Sequence, residues 1–185
     1  MRSMALPLAG LSLTTAVARG GEGNPPAVGE QARDFTLPSL QGEKVSLSQS
    51  RMKGPVVVLV LRGYPGYQCP LCTMQVGDYI GKAKKFAEKN ANVLLIYPGP
   101  AENLSSQAKE FLRGKKLPDN FHLLVDPGYT MVNSYGLRWD APSETAYPST
   151  FVVDEDGKVL LSRVSKAHGG RTKASETLAA LPTKK

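Results

Sequence analysis

Val56-Val57-Val58-Leu59-Val60-Leu61 is an unbroken apolar run rich in β-branched residues. It does not alternate with polar residues, so it offers no face to water. A strand of this kind must be covered on both sides, and layered α/β architectures are what supply such cover. Asn92-Val93-Leu94-Leu95-Ile96-Tyr97 repeats the pattern and is closed by Pro98-Gly99-Pro100. Between these runs, Cys72 to Asn90 carries Met74, Val76, Ile80, Ala83, Phe86 and Ala87 near a helical period.

Further helices are expected at Ser105–Arg113, Tyr129–Tyr135 and Ser175–Leu181, the first two ending at Gly114 and Gly136. His122–Val125 reads as a short strand. Thr150–Val153 and Lys158–Arg163 read as strands joined by the turn Asp154-Glu155-Asp156-Gly157. Asp34–Leu37 and Lys44–Leu47 flank Gln41-Gly42 and suggest a small hairpin. The expected fold class is α/β, a central mixed sheet flanked by helices.

The chain holds two cysteines, Cys69 and Cys72, in Cys69-Pro70-Leu71-Cys72. A disulfide between them closes too small a loop to add much as a staple. A zinc site needs further ligands, and His122 and His168 lie far downstream and far apart. The pair sits instead where a buried strand gives way to a helix. Unpaired amides and the positive end of the dipole favour thiolate there. Pro70, with no amide hydrogen and a fixed φ, suits a first helical turn. A thiolate attacks peroxides and disulfides, and a second thiol three residues on can close an internal disulfide.

The first residues, Met1-Arg2-Ser3, are followed by an apolar run to Ala18 ending in Ala16-Val17-Ala18. That is the order of a secretory signal, too short and broken for a membrane span. The expected organisation is a signal over residues 1–18, a flexible segment over 19–27 and one domain over 28–185. The site would then lie in an exported, periplasmic or extracellular setting. The net charge of +7 comes from scattered lysines rather than from a basic stripe interleaved with aromatics. Neither a nucleic-acid partner nor stable membrane insertion is expected.

Residues 28–163 resemble the alkyl hydroperoxide reductase/thiol-specific antioxidant family, the peroxiredoxins of the thioredoxin superfamily. Val28-Gly29-Glu30-Gln31-Ala32-Arg33-Asp34-Phe35-Thr36-Leu37 is similar to the family's opening segment, with Arg33 where proline is usual. Tyr64-Pro65-Gly66-Tyr67-Gln68-Cys69-Pro70-Leu71-Cys72 fits the pattern Pro-x-x-x-Thr-x-x-Cys. The resemblance puts Cys72 in the peroxidatic position, makes Pro65 the motif proline, and sets Cys69 in place of threonine. The segment from Pro148 to Gly157 resembles the strand and hairpin that close the sheet. The family's arginine before that strand is missing, with Arg62 or Arg138 as substitutes.

Pro148 instead resembles the cis proline that faces the cysteine pair in thioredoxins, whose first cysteine attacks. On that pattern the Tyr147–Pro148 bond should be cis and close to Cys69. The resemblance implies a thioredoxin-like fold and an antioxidant thiol enzyme that reduces peroxides through Cys69, Cys72, Pro65 and Pro148. It needs no metal or organic cofactor. Its electron donor would be a thioredoxin-like protein or a small thiol. Two alternatives stay open: an exported thiol-disulfide oxidoreductase acting on protein disulfides, and a non-catalytic thioredoxin-fold binding module.

Overall fold

The computed structural model describes residues 23–183. The expected signal, residues 1–18, and the start of the flexible segment lie outside the described residues. A five-stranded sheet has the order β5-β4-β3-β6-β7. Its strands are β3 (Val56–Val60), β4 (Asn92–Gly99), β5 (Phe121–Pro127), β6 (Ser149–Val153) and β7 (Val159–Val164). The run at 56–60 is thus the central strand. It pairs in parallel with β4 and antiparallel with β6. A short antiparallel hairpin, β1 (Thr36–Pro38) and β2 (Lys44–Ser46), lies outside this sheet.

Side chains along β3 alternate between two fully buried cores. Val57, Leu59 and Leu61 face one side, with Val76, Tyr79 and Phe86. Those partners come from α2 (Pro70–Ile80) and α3 (Ala83–Glu88). Leu104, Ala108 and Phe111 of α4 (Leu104–Leu112), and Ala174 of α6 (Ala174–Ala180), join the same core. Val56, Val58 and Val60 face the other core. Leu47 of α1 (Leu47–Arg51), with Met131 and Val132 of α5 (Thr130–Ser134), lies there beside Phe35, Tyr135 and Phe151. A strand dry on both faces therefore has a helical layer on each.

The apolar period from Cys72 to Asn90 predicts one helix, but the structure has two. The first starts earlier, at Pro70, with Cys69 as its N-cap. It stops at Ile80, and the chain leaves helical geometry at Lys82 (φ −115°, ψ 14°) before α3 begins. Gly77 and Gly81 weaken this stretch. The break also lets Tyr79 stack on Phe86, with ring centroids 5.6 Å apart. Among the described residues no helix is long and apolar enough to cross a membrane.

Topology gathers the site. β6 runs antiparallel to β3, and β7 antiparallel to β6. The end of β3, the start of β6 and the end of β7 therefore meet at one edge, in the register Val60–Ser149–Val164. The turn out of β3 depends on Gly63, whose φ is +71°. A Cβ there would come within 1.8 Å of the Pro98 carbonyl oxygen on β4. Gly63→Ala is expected to destabilise the protein by about 2 kcal/mol or more, through strain and overpacking. Gly77→Ala, on an exposed stretch of α2 with open space around it, is expected to stabilise by about 0.5–1 kcal/mol. Urea denaturation of the two variants should move the midpoints in opposite directions.

Candidate active site

The two cysteines are free thiols, placed by the start of α2. Cys69 caps the helix, and its Sγ accepts the backbone N–H of Cys72 at 3.4 Å. Cys72 sits one turn in, and its Sγ accepts the backbone N–H of Arg62 at 3.4 Å. Both are buried, Cys69 at 3% exposed and Cys72 at 1%. Arg171 Nη2 lies 3.7 Å from Cys69 Sγ, while its Nη1 donates to Gln75 Oε1 at 3.1 Å.

This asymmetry sorts the two thiols. A hydrogen bond from the Cys72 thiol, aided by the Cys72 amide and the Arg171 and Arg62 charges, outweighs burial and lowers Cys69 to about 5. The Cys72 thiol moves the other way. It holds its proton against the Cys69 sulfur and is buried more deeply, so it is pushed well above the usual thiol range. The two shifts run in opposite directions and make Cys69, beside Arg171, the more acidic thiol of the pair.

Arg171 is held by residues on both sides of it. Beyond it, the segment is pinned to α2. Gln75 Nε2 donates to the Thr172 carbonyl at 3.1 Å, and Asp78 accepts the Ala174 amide at 2.7 Å. The buried Tyr79 hydroxyl meets the hydroxyls of Thr172 at 2.9 Å and Thr177 at 2.6 Å. Before it, His168 Nε2 lies 2.8 Å from Glu144 Oε1, and the Trp139 ring lies 5.1 Å from the imidazole. The other Glu144 oxygen accepts Arg62 Nε at 2.6 Å. Burial pushes the Glu144 carboxyl up, but the hydrogen bonds from Arg62 and His168 prevail and hold it below the usual carboxylate range.

One expectation is corrected. No peptide bond among the described residues is cis, so Tyr147–Pro148 is trans. Trans is the ordinary preference of an X–Pro bond unless a tight turn selects cis. Here the chain runs straight into β6, with the Tyr147 amide donating to the Leu137 carbonyl and the Pro148 carbonyl accepting from Ser165. Pro148 is buried at the sheet end that also carries Arg62. The arginines offered for the missing cation are placed as follows. Arg62 offers Cys72 its amide, while its guanidinium turns to Glu144, Tyr67 and the Ser143 carbonyl. Arg138 is bonded to the Trp139 and Thr145 carbonyls and stacks over Tyr129. The guanidinium beside the thiolate belongs to Arg171.

Pro65 lies half-buried in the β3–α2 loop, between Gly63 and Gly66, both at positive φ. Arg33, at the proline position of the opening segment, donates to the Asn24 carbonyl and lies over the Tyr135 ring at 5.0 Å. Sequence reasoning missed Arg171, Glu144 and His168. Their one signal was His168-Gly169-Gly170-Arg171, a break with two cationic-type side chains just after the last strand.

Comparison with known proteins identifies the family. The AhpC/TSA family model matches residues 28–162. A Mycobacterium tuberculosis protein carrying a peroxiredoxin name is 32% identical over 147 residues, covering 76% of this chain and 87% of that protein. A chloroplastic peroxiredoxin Q of Suaeda salsa is 34% identical, covering 78% of this chain and 60% of that protein. A thiol-disulfide oxidoreductase ResA of Bacillus thuringiensis is 24% identical over 72% of this chain and 67% of that protein. The crystal structure of the peroxidoxin BcpB from Mycobacterium tuberculosis superposes with a TM-score of 0.64 at 28% identity, covering 83% of this chain and 95% of that one. With a thioredoxin-like sheet, a cysteine pair capping the helix after its central strand, and a family match across most of its length, this chain belongs to the AhpC/TSA family, the thiol-dependent peroxidases.

Proposed function

We propose that the protein reduces peroxides through a dithiol–disulfide cycle of Cys69 and Cys72. The observation that carries the choice of substrate is the accessibility of the anionic sulfur. Cys69 is 3% exposed and lies under Arg171. A small peroxide needs less room to reach such an atom than a disulfide on a folded protein does. The trans Pro148 bond also removes a feature that would favour disulfide exchange.

In the first step the Cys69 thiolate attacks one peroxide oxygen and the O–O bond breaks. Cys69 becomes a sulfenic acid, and the departing alkoxide takes the proton held by Cys72. The Cys72 thiolate so formed attacks the Cys69 sulfur and expels hydroxide, closing the disulfide. A thioredoxin-like protein or a small thiol then returns two electrons. Arg171 steadies the starting thiolate, and Pro65 and Pro148 frame the loop and the strand beside the pair. The opposite order, with Cys72 attacking first, is favoured by the family register and by the Arg62 amide on the Cys72 sulfur. The apolar leader ending in Ala16-Val17-Ala18 supports export with cleavage after Ala18. The division into 1–18, 19–27 and 28–185 follows from that.

Three outcomes test this reading. Cys69→Ser should abolish peroxide consumption. Cys72→Ser should retain one oxidation and trap a sulfenic acid at Cys69, detectable by dimedone labelling and mass mapping; the reverse assignment would establish the Cys72-first order. The second outcome concerns pH. Because Cys69 falls from the ordinary value of 9.0 to about 5 on folding, the unfolded chain binds the extra proton between these values. Stability of the reduced protein should therefore rise with pH across that window and be lost as pH falls through about 5. Cys69→Ser should flatten this slope in urea titrations. N-terminal sequencing of the native protein should begin at Arg19, and a retained Met1 in a soluble cytoplasmic fraction would refute export.

A further inference from the structure

Glu144 stands outside the cysteine pair, yet each oxygen of its carboxylate begins a chain of contacts that ends on one of the two sulfurs. Oε2 accepts Arg62 Nε at 2.6 Å, and the Arg62 backbone N–H reaches Cys72 Sγ at 3.4 Å. Oε1 meets His168 Nε2 at 2.8 Å, the His168 carbonyl accepts Arg171 Nε at 2.9 Å, and Arg171 Nη2 reaches Cys69 Sγ at 3.7 Å. A carboxylate can only accept, so it fixes a proton on Nε2 of His168. The Glu144 side chain is 11% exposed and that of Arg62 3%, so this pair is sheltered from solvent and rigid. His168 is about half exposed, lies against the Trp139 ring at 5.1 Å, and opens the Gly169-Gly170 loop.

We infer that Glu144 is a positioning residue: through His168 it holds the 168–171 loop so that the Arg171 guanidinium stays over the Cys69 sulfur. The inference deepens the reading of Cys69 as the working thiolate and rests on it. Gln75 steadies Arg171 from α2, so loss of the His168 tie loosens the guanidinium without removing it. The charged and titratable groups that act on Cys69 are Cys72, Arg171 and Arg62. Of these, the Glu144–His168 tie acts on Arg171; the loop before residue 171 is also touched by the Trp139 ring on His168, by Lys166 over the Tyr147 ring, and by the Ser165 hydroxyl contacts to Ala167 and Gly169.

The test is the pH profile of Cys69 alkylation by iodoacetamide in the full reduced chain, with the modified cysteine identified by mass. No peroxide is involved, so failure of the peroxidase reading leaves a separate trace. Arg171→Met should move the profile upward by about one unit or more, as expected for loss of a cation near a thiolate. His168→Ala should move it in the same direction by about half a unit. In the Arg171→Met background, His168→Ala should add nothing, because it acts through that guanidinium. Glu144→Gln should behave as His168→Ala does. It leaves Arg62 buried without its ion-pair partner, so if it fails to fold, His168→Ala decides alone. An unmoved profile in His168→Ala, or an equal shift with and without Arg171, would overturn the inference.

Discussion

The burial of β3 on both faces is the constraint from which the site follows. Val56 to Leu61 contribute six side chains with no measurable exposure. Each is worth on the order of 1.5–3 kcal/mol when taken from water. A strand held this firmly leaves its carboxyl end as the one fixed point from which the chain can turn. It turns through Gly63, against the Pro98 carbonyl, and re-enters order at Cys69. The helix start is thereby aimed at the sheet end where β3, β6 and β7 meet, and its Cys72 amide falls on the Cys69 sulfur.

Electrostatics then distinguishes two chemically identical side chains. Three positions separate them, yet one caps the helix beside a guanidinium and the other lies a turn deeper. The first is lowered to about 5 and the second is raised. In the proposed cycle such a pair supplies a nucleophile and a proton side by side. Reduction of a peroxide requires both, since the leaving oxygen must be protonated as the O–O bond breaks. Burial serves the same end by keeping water from the pair.

The departures from the family pattern have physical substitutes. The opening segment lacks its proline, and Arg33 ties residues 24 and 135 together instead. No arginine stands just before β6, and Arg171, which follows β7, reaches the Cys69 sulfur. Arg62, free in sequence to play that part, is committed to Glu144, Tyr67 and Ser143. Its guanidinium is buried, and these partners more than offset the cost of that burial.

Unlike the short helix α1, whose first residue Leu47 reads as the end of a strand, the central strand, the alternation of strands and helices from it onward, the terminal hairpin and the cysteine pair at a helix start were legible in the residues. Each rests on local information: hydrophobic period, turn chemistry, and a Pro at the first helical position. The helix break at Gly81–Lys82 was less so, because apolar period continues across it while the backbone does not. The Pro148 isomer and the identity of the cation were decided by tertiary structure alone. Isomer choice depends on what the flanking carbonyls and amides pair with. The cation depends on strand direction, because two successive antiparallel pairings carry residue 171 back to residue 69. Local sequence determines which groups are capable of chemistry; long-range pairing determines which of them meet, since a contact across 102 positions leaves no periodic trace along the chain.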